Sequence, residues 1–122
     1  MTNFPVHEFE GKHYFDVYGD GDDRFIIAHE EINRNKGNFG VEQAFDVLEK
    51  ARHTSEAYPT VCSLVLDPTG LYVYIALFGY FSKIWRISLA ESMIESFSGF
   101  DAPHKLKIGP GGILASELSK YR

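Results

Sequence analysis

A chain of 122 residues suffices for one domain with one modest core, and its single cysteine excludes an internal disulfide. Apolar residues make up 44% and aromatics 15%, which excludes the composition of a disordered chain. The formal net charge of −5, with acidic residues spread along the chain, leaves no basic stripe for phosphates and argues against nucleic acid as a partner.

In chain order, Phe4, Val6 and Phe9 suggest one extended piece, and the run His13 to Tyr18 suggests another, as strands or structured loop. A turn-rich stretch follows at Gly19-Asp20-Gly21-Asp22-Asp23. From about Arg24 the period becomes helical. Phe25, Ala28 and Ile32 fall near one face, Asp22 and Asp23 suit the positive end of the dipole, and the helix should end near Asn35-Lys36-Gly37. A second helix is predicted from Val41 to Arg52, because Val41, Ala44, Phe45, Leu48 and Ala51 follow helical spacing while Glu42, Asp46, Glu49 and Lys50 face away. The period then switches to β over Thr60 to Leu66, the turn Asp67-Pro68-Thr69-Gly70, and Leu71 to Leu77, which together predict a hairpin. Both arms are largely apolar on both faces, so both faces should be covered. Lys83 to Ala90 reads as a third strand. After residue 91 the signal fades until a short helix at Leu114 to Lys120.

Several chemical motifs fail at a required position. His29-Glu30-Glu31-Ile32-Asn33 resembles a helical zinc-protease motif, but Asn33 stands where the second histidine belongs, so a solvated helix face is expected there. Asp20-Gly21-Asp22-Asp23 hints at a calcium loop, yet Phe25 occupies the position that needs glycine. In Gly109-Pro110-Gly111-Gly112 the proline removes an amide that a phosphate cradle would use. No metal or cofactor is therefore assigned. Ser98-Gly99 lacks the context of a nucleophile elbow, and Cys62, inside an apolar strand with no adjacent His, Lys or Arg, is expected to be a buried small hydrophobe. Thr2 would become an N-terminal nucleophile if Met1 were removed, although threonine is common there without any catalytic role. The lone cysteine and the absence of any N-x-Ser/Thr site fit a reducing, cytoplasmic setting. The longest apolar stretch, Leu71 to Phe81, is too short to cross a bilayer, and no signal peptide is expected.

Taken together, Thr2-Asn3-Phe4-Pro5, Asp23-Arg24-Phe25 opening a helix, the helix Val41 to Arg52, and Thr60 to Asp67 before a hairpin resemble the C-terminal half of the choloylglycine hydrolase group. That group of linear amide C–N hydrolases includes bile-salt and penicillin V hydrolases and acyl-coenzyme A:6-aminopenicillanate acyltransferases. They are N-terminal-nucleophile enzymes with a four-layer αββα sandwich. The resemblance covers about residues 2–90 of a single domain 1–122 and leaves 91–122 as a tail of unassigned role. The implied fold class is α+β, an antiparallel sheet with two packed helices forming part of that sandwich.

The resemblance gives roles to two residues. Asn3 would donate its side-chain amide to an oxyanion hole. Arg24 would lie near the nucleophilic cysteine, favouring its thiolate and positioning an acyl group. The family's N-terminal cysteine and its upstream Arg and Asp are not among these residues, and the strands are too few for two packed sheets. The expectation is thus a portion of an amide hydrolase acting on a small acyl-amide substrate, catalytically incomplete alone, which forms a homo-oligomer or docks onto an N-terminal half. The alternative is a non-catalytic α+β binding or assembly module descended from such an enzyme. A propeller-blade fragment is also suggested by Leu66 to Val73, against which the preceding helices argue.

Overall fold

The structure, a computed structural model, describes residues 10–16, 18–19, 21–53, 57 and 59–122. The extended piece expected at Phe4 to Phe9 lies outside the described residues, as do Thr2 and Asn3. The chain divides into two compact units, Met1–Arg52 and His53–Arg122.

In the first unit, Tyr14–Asp16 forms one short 3-10 turn where strand or loop was expected. Helix α1 spans Asp22–Arg34 and helix α2 spans Val41–Lys50. Gly21 precedes α1 with φ 85°, a left-handed conformation that glycine adopts without a steric cost. The Asp22 carboxylate ties the entry by accepting hydrogen bonds from the Gly19 N–H at 3.1 Å and the Asp23 N–H at 2.6 Å. At the start of α2, Gln43 Oε1 accepts the Gly40 N–H at 3.0 Å, satisfying one amide beside the helix end. Phe45 and Val47 are buried. The helices pack on each other, and Glu31 joins them: its carboxylate meets Arg34 of α1 and lies 2.7 Å from Lys50 Nζ of α2.

In the second unit, β1 Cys62–Asp67, β2 Tyr72–Leu77, β3 Ile84–Ser88, β4 Met93–Ser98 and β5 Lys105–Lys107 form one antiparallel sheet in the order β1-β2-β3-β4-β5. The predicted hairpin is β1 and β2. Asp67 Oδ1 closes it by accepting the Thr69 N–H at 3.1 Å and the Gly70 N–H at 2.9 Å, the turn chemistry that an Asp-Pro start favours. Residues 91–113, where the sequence signal fades, supply β4 and β5, and the short helix expected at Leu114 to Lys120 is α3, Ala115–Leu118. The general class, α+β with an antiparallel sheet and helices, is as expected.

Because side chains alternate along each strand, the register gathers Cys62, Leu64, Leu66, Val73, Ile75, Trp85, Ile87, Ile94 and Leu106 on one face. One core cluster forms there, while Tyr74, Ala76 and Ile84 are buried on the opposite face. Trp85, Ile94 and Leu118 of α3 are buried together, with Ile94 fully enclosed, and Ile75, Ile87, Phe100 and Leu106 pack around them. On the opposite face Arg86 pairs with Glu95, Nε to Oε1 at 2.9 Å, and its guanidinium lies 4.8 Å from the centre of the Tyr72 ring. The register slips between Ile84 and Trp85, leaving Phe97 as an extra residue in β4, where it packs edge-on against Tyr74 at 4.9 Å.

Two expectations need correction. The hairpin is covered on both faces only along β2, where Tyr74 and Ala76 are buried on one face and Ile75 and Leu77 pack against the core on the other; on β1, Leu64 is 48% exposed and Leu66 69%. Nor is Cys62 buried, for it lies exposed at the start of the same strand. The reason is shared. Strand β1 has a neighbour on one side only among the described residues, and the core cluster sits over β3 and β4, away from it. The propeller comparison also changes, since the two helices that argued against a blade belong to a separate compact unit from the meander.

Candidate functional site

Arg24 lies in the first turn of α1, half-buried, where the resemblance expects an arginine to open a helix. Its guanidinium folds back toward the helix entry, so that a Cβ added at Gly21 would stand 3.0 Å from an Arg24 nitrogen. Among the described residues it makes no ion pair. Asn3 lies outside those residues, so the two are not brought together by anything described.

The near-zinc segment has a structural use instead. Asn33 Nδ2 lies 3.0 Å from His29 Nδ1, one helical turn apart, and the His29 ring stacks on Tyr14 at 4.2 Å. Glu31, expected on a solvated face, is buried. Hydrogen bonding from Lys50, with the charge of Arg34 behind it, outweighs burial and holds its carboxyl below the ordinary glutamate value. A depressed carboxylate contributes stability above its unfolded value, near pH 4.3, and loses it as pH falls. Glu31→Gln is therefore expected to weaken the helical unit at neutral pH and flatten the acid limb of its unfolding curve, measured by helical circular dichroism against pH. An unchanged acid limb would refute the role.

The second unit carries a cleft of about 360 Å³ between the end of the β2–β3 connection and α3. Leu77, Trp85 and Leu118 make an apolar floor, and Tyr80, Lys83 and Tyr121 line the mouth. Lys83 Nζ donates to the Tyr121 carbonyl at 3.0 Å and lies 5.7 Å from the Phe100 ring centre. Ser119 Oγ, also in the lining, donates to the Ala115 carbonyl at 2.9 Å.

Strand β1 stands at the end of the sheet, with no strand on its outer side among the described residues. The Phe78 N–H donates to the Val61 carbonyl at 2.6 Å, and the Leu89 N–H to the Leu71 carbonyl at 3.0 Å. Alternation from these two bonds directs residues 63, 65 and 67 of β1 toward β2 and leaves the N–H and C=O of Cys62, Leu64 and Leu66 on the outer edge. The same three residues present their side chains on the core face. The reading of the sequence missed this because pattern alone does not reveal which strand lacks a neighbour. No sequence signal marks it, because Val65 breaks the apolar–polar alternation and burial runs against residue type, Ser63 being buried while Leu64 and Leu66 are exposed.

Among the described residues no group of three or more His, Cys, Asp or Glu converges as a metal site, and no helix is long and apolar enough to cross a membrane. No family model, curated protein or solved structure matches the chain.

Proposed function

We propose that this chain is a non-catalytic α+β binding or assembly module, working in a reducing, cytoplasmic setting, with ancestry in the linear amide C–N hydrolases. The observation that carries the reading is the open apolar end of the sheet face. Leu64 and Leu66 are 48% and 69% exposed and, with the exposed Cys62, run directly into the face that holds Trp85 and Ile94. Contiguous apolar surface of this kind marks an interaction site, because leaving it in water costs roughly 25 cal/mol per Å². The ancestry rests on the front-of-chain strings and on the place of Arg24 in the first turn of α1.

Fluorescence of an apolar dye tests the module reading. The folded chain is expected to bind the dye without heating, and Leu66→Asp to cut the signal by about half or more, since Leu66 is the most exposed side chain of the strip. Dye binding absent from the folded chain, or indifferent to Leu66→Asp, would sink it.

A further inference from the structure

We propose that the cleft between the β2–β3 connection and α3 binds a small aromatic monocarboxylate. The inference goes beyond the module reading and shares no residue with the open strip on β1. The lining belongs wholly to the second unit. Every hydrogen bond and ring contact of Tyr80, Lys83, Trp85 and Tyr121 also stays within that unit, so among the described residues nothing from elsewhere is bonded across the mouth. Tyr80 stands open there, 68% exposed.

Volume and lining set the size and shape of the occupant. At about 360 Å³ the cleft falls in the range of small-molecule pockets. The buried Trp85 and Leu118, with Leu77, make a floor that favours apolar surface over water. Three of the lining residues are aromatic, and the Tyr121 ring stands at 85° to the Trp85 ring. Rings set at such angles offer a flat ligand one face to stack on and another to meet edge-on.

Lys83 sets the charge. Among the described residues it is the one charged side chain of the lining, it is half-buried, and it makes no ion pair. One donated hydrogen bond, to the Tyr121 carbonyl, holds the ammonium in place and leaves two of its N–H groups unspent. A partly desolvated ammonium without a counter-charge is costly, and an anion entering the cleft supplies one. One ammonium balances one negative charge. A phosphate monoester would bring a second charge against the apolar floor with nothing to pair it, whereas a carboxylate does not.

The single tryptophan is the reporter, because its indole N–H gives one resonance and the residue lies in the cleft floor. In nitrogen–proton correlation spectra of the full chain, naphthoate is expected to shift that resonance saturably, with Kd below about 1 mM. The uncharged naphthylmethanol and the ringless hexanoate are each expected to bind at least about tenfold more weakly. Lys83→Met should weaken naphthoate about tenfold and leave naphthylmethanol within about twofold, a pattern that loss of the cleft's shape would not give. A resonance that does not saturate by about 10 mM naphthoate, an alcohol that binds as tightly as the acid, or a folded Lys83→Met variant of unchanged affinity would each overturn the assignment. Hexanoate binding as tightly as naphthoate would overturn the aromatic class. If Lys83→Met does not fold, Tyr80→Ala at the exposed mouth decides in its place: it should weaken naphthoate at least about threefold, and an unchanged affinity overturns the site. Failure here leaves the strip on β1, and the dye test of it, untouched.

Discussion

Replacing Gly99 with alanine is expected to unfold the sheet unit well before any other single methyl addition would. Gly99 follows β4 with φ 80°, a conformation that costs an L-residue about 1–2 kcal/mol. A Cβ there would also overlap the backbone carbonyl oxygen of Ser82, a main-chain atom that a rotamer change cannot move aside. Relieving that overlap means shifting the segment before β3, at roughly 1–3 kcal/mol. The sum, roughly 2–5 kcal/mol, is a large share of the stability of a small unit and should lower its melting midpoint by at least about 10 °C. The chain has a single tryptophan, and it is Trp85, inside the affected core, so intrinsic fluorescence on heating reads the result directly. A midpoint within about 2 °C of the parent would show that the backbone yields at no cost there.

Trp85→Ala is expected to be comparably severe by a different route. Trp85 is 3% exposed and packs edge-on against Phe100 at 4.5 Å and Tyr121 at 5.6 Å, with Ile94 and Leu118 beside it. Truncation removes the largest buried side chain and opens a cavity continuous with the cleft, at about 3–5 kcal/mol. Trp85→Phe keeps an aromatic ring and should cost well under half as much. Urea unfolding followed by circular dichroism measures both, since the fluorophore itself is lost. Equal destabilisation by the two substitutions would mean that ring packing does not hold this core. Side chains and backbone thus fail separately at the same end of the sheet, because Gly99 sets the approach of the chain that Trp85 fills.

Much of the architecture was legible before any coordinates. Helical spacing with acidic residues at the start gave α1 and α2 within about two residues of their observed ends, since an amphipathic stripe is a local property. The Asp-Pro-Thr-Gly turn gave the β1–β2 hairpin for a similar reason, as the turn bonds lie within four residues. Strands β4 and β5 were not legible. Met93 to Ser98 and Lys105 to Lys107 mix polar and apolar residues without a clear period, and they become strands by pairing with β3 and β4 in turn. Propensity in a sheet is largely the fit to neighbours, which a single segment does not carry.

The candidate site divides along the same line. Arg24 at a helix start was a sequence-level observation and stands in the first turn of α1, while Asn3 lies outside the described residues. Glu31, Cys62, Leu64 and Leu66 were misjudged because burial was inferred from residue type and local pattern. Their exposure depends on partners far along the chain: Lys50 reaches Glu31 from another helix, and α3 covers Ile94 but not β1. The amino-acid sequence by itself determined the helices, the hairpin, the acidic charge and the lone thiol, each through interactions between residues a few positions apart. Only the tertiary structure decided that β1 stands at the end of the sheet with Leu64 and Leu66 exposed, because that depends on which distant segments meet.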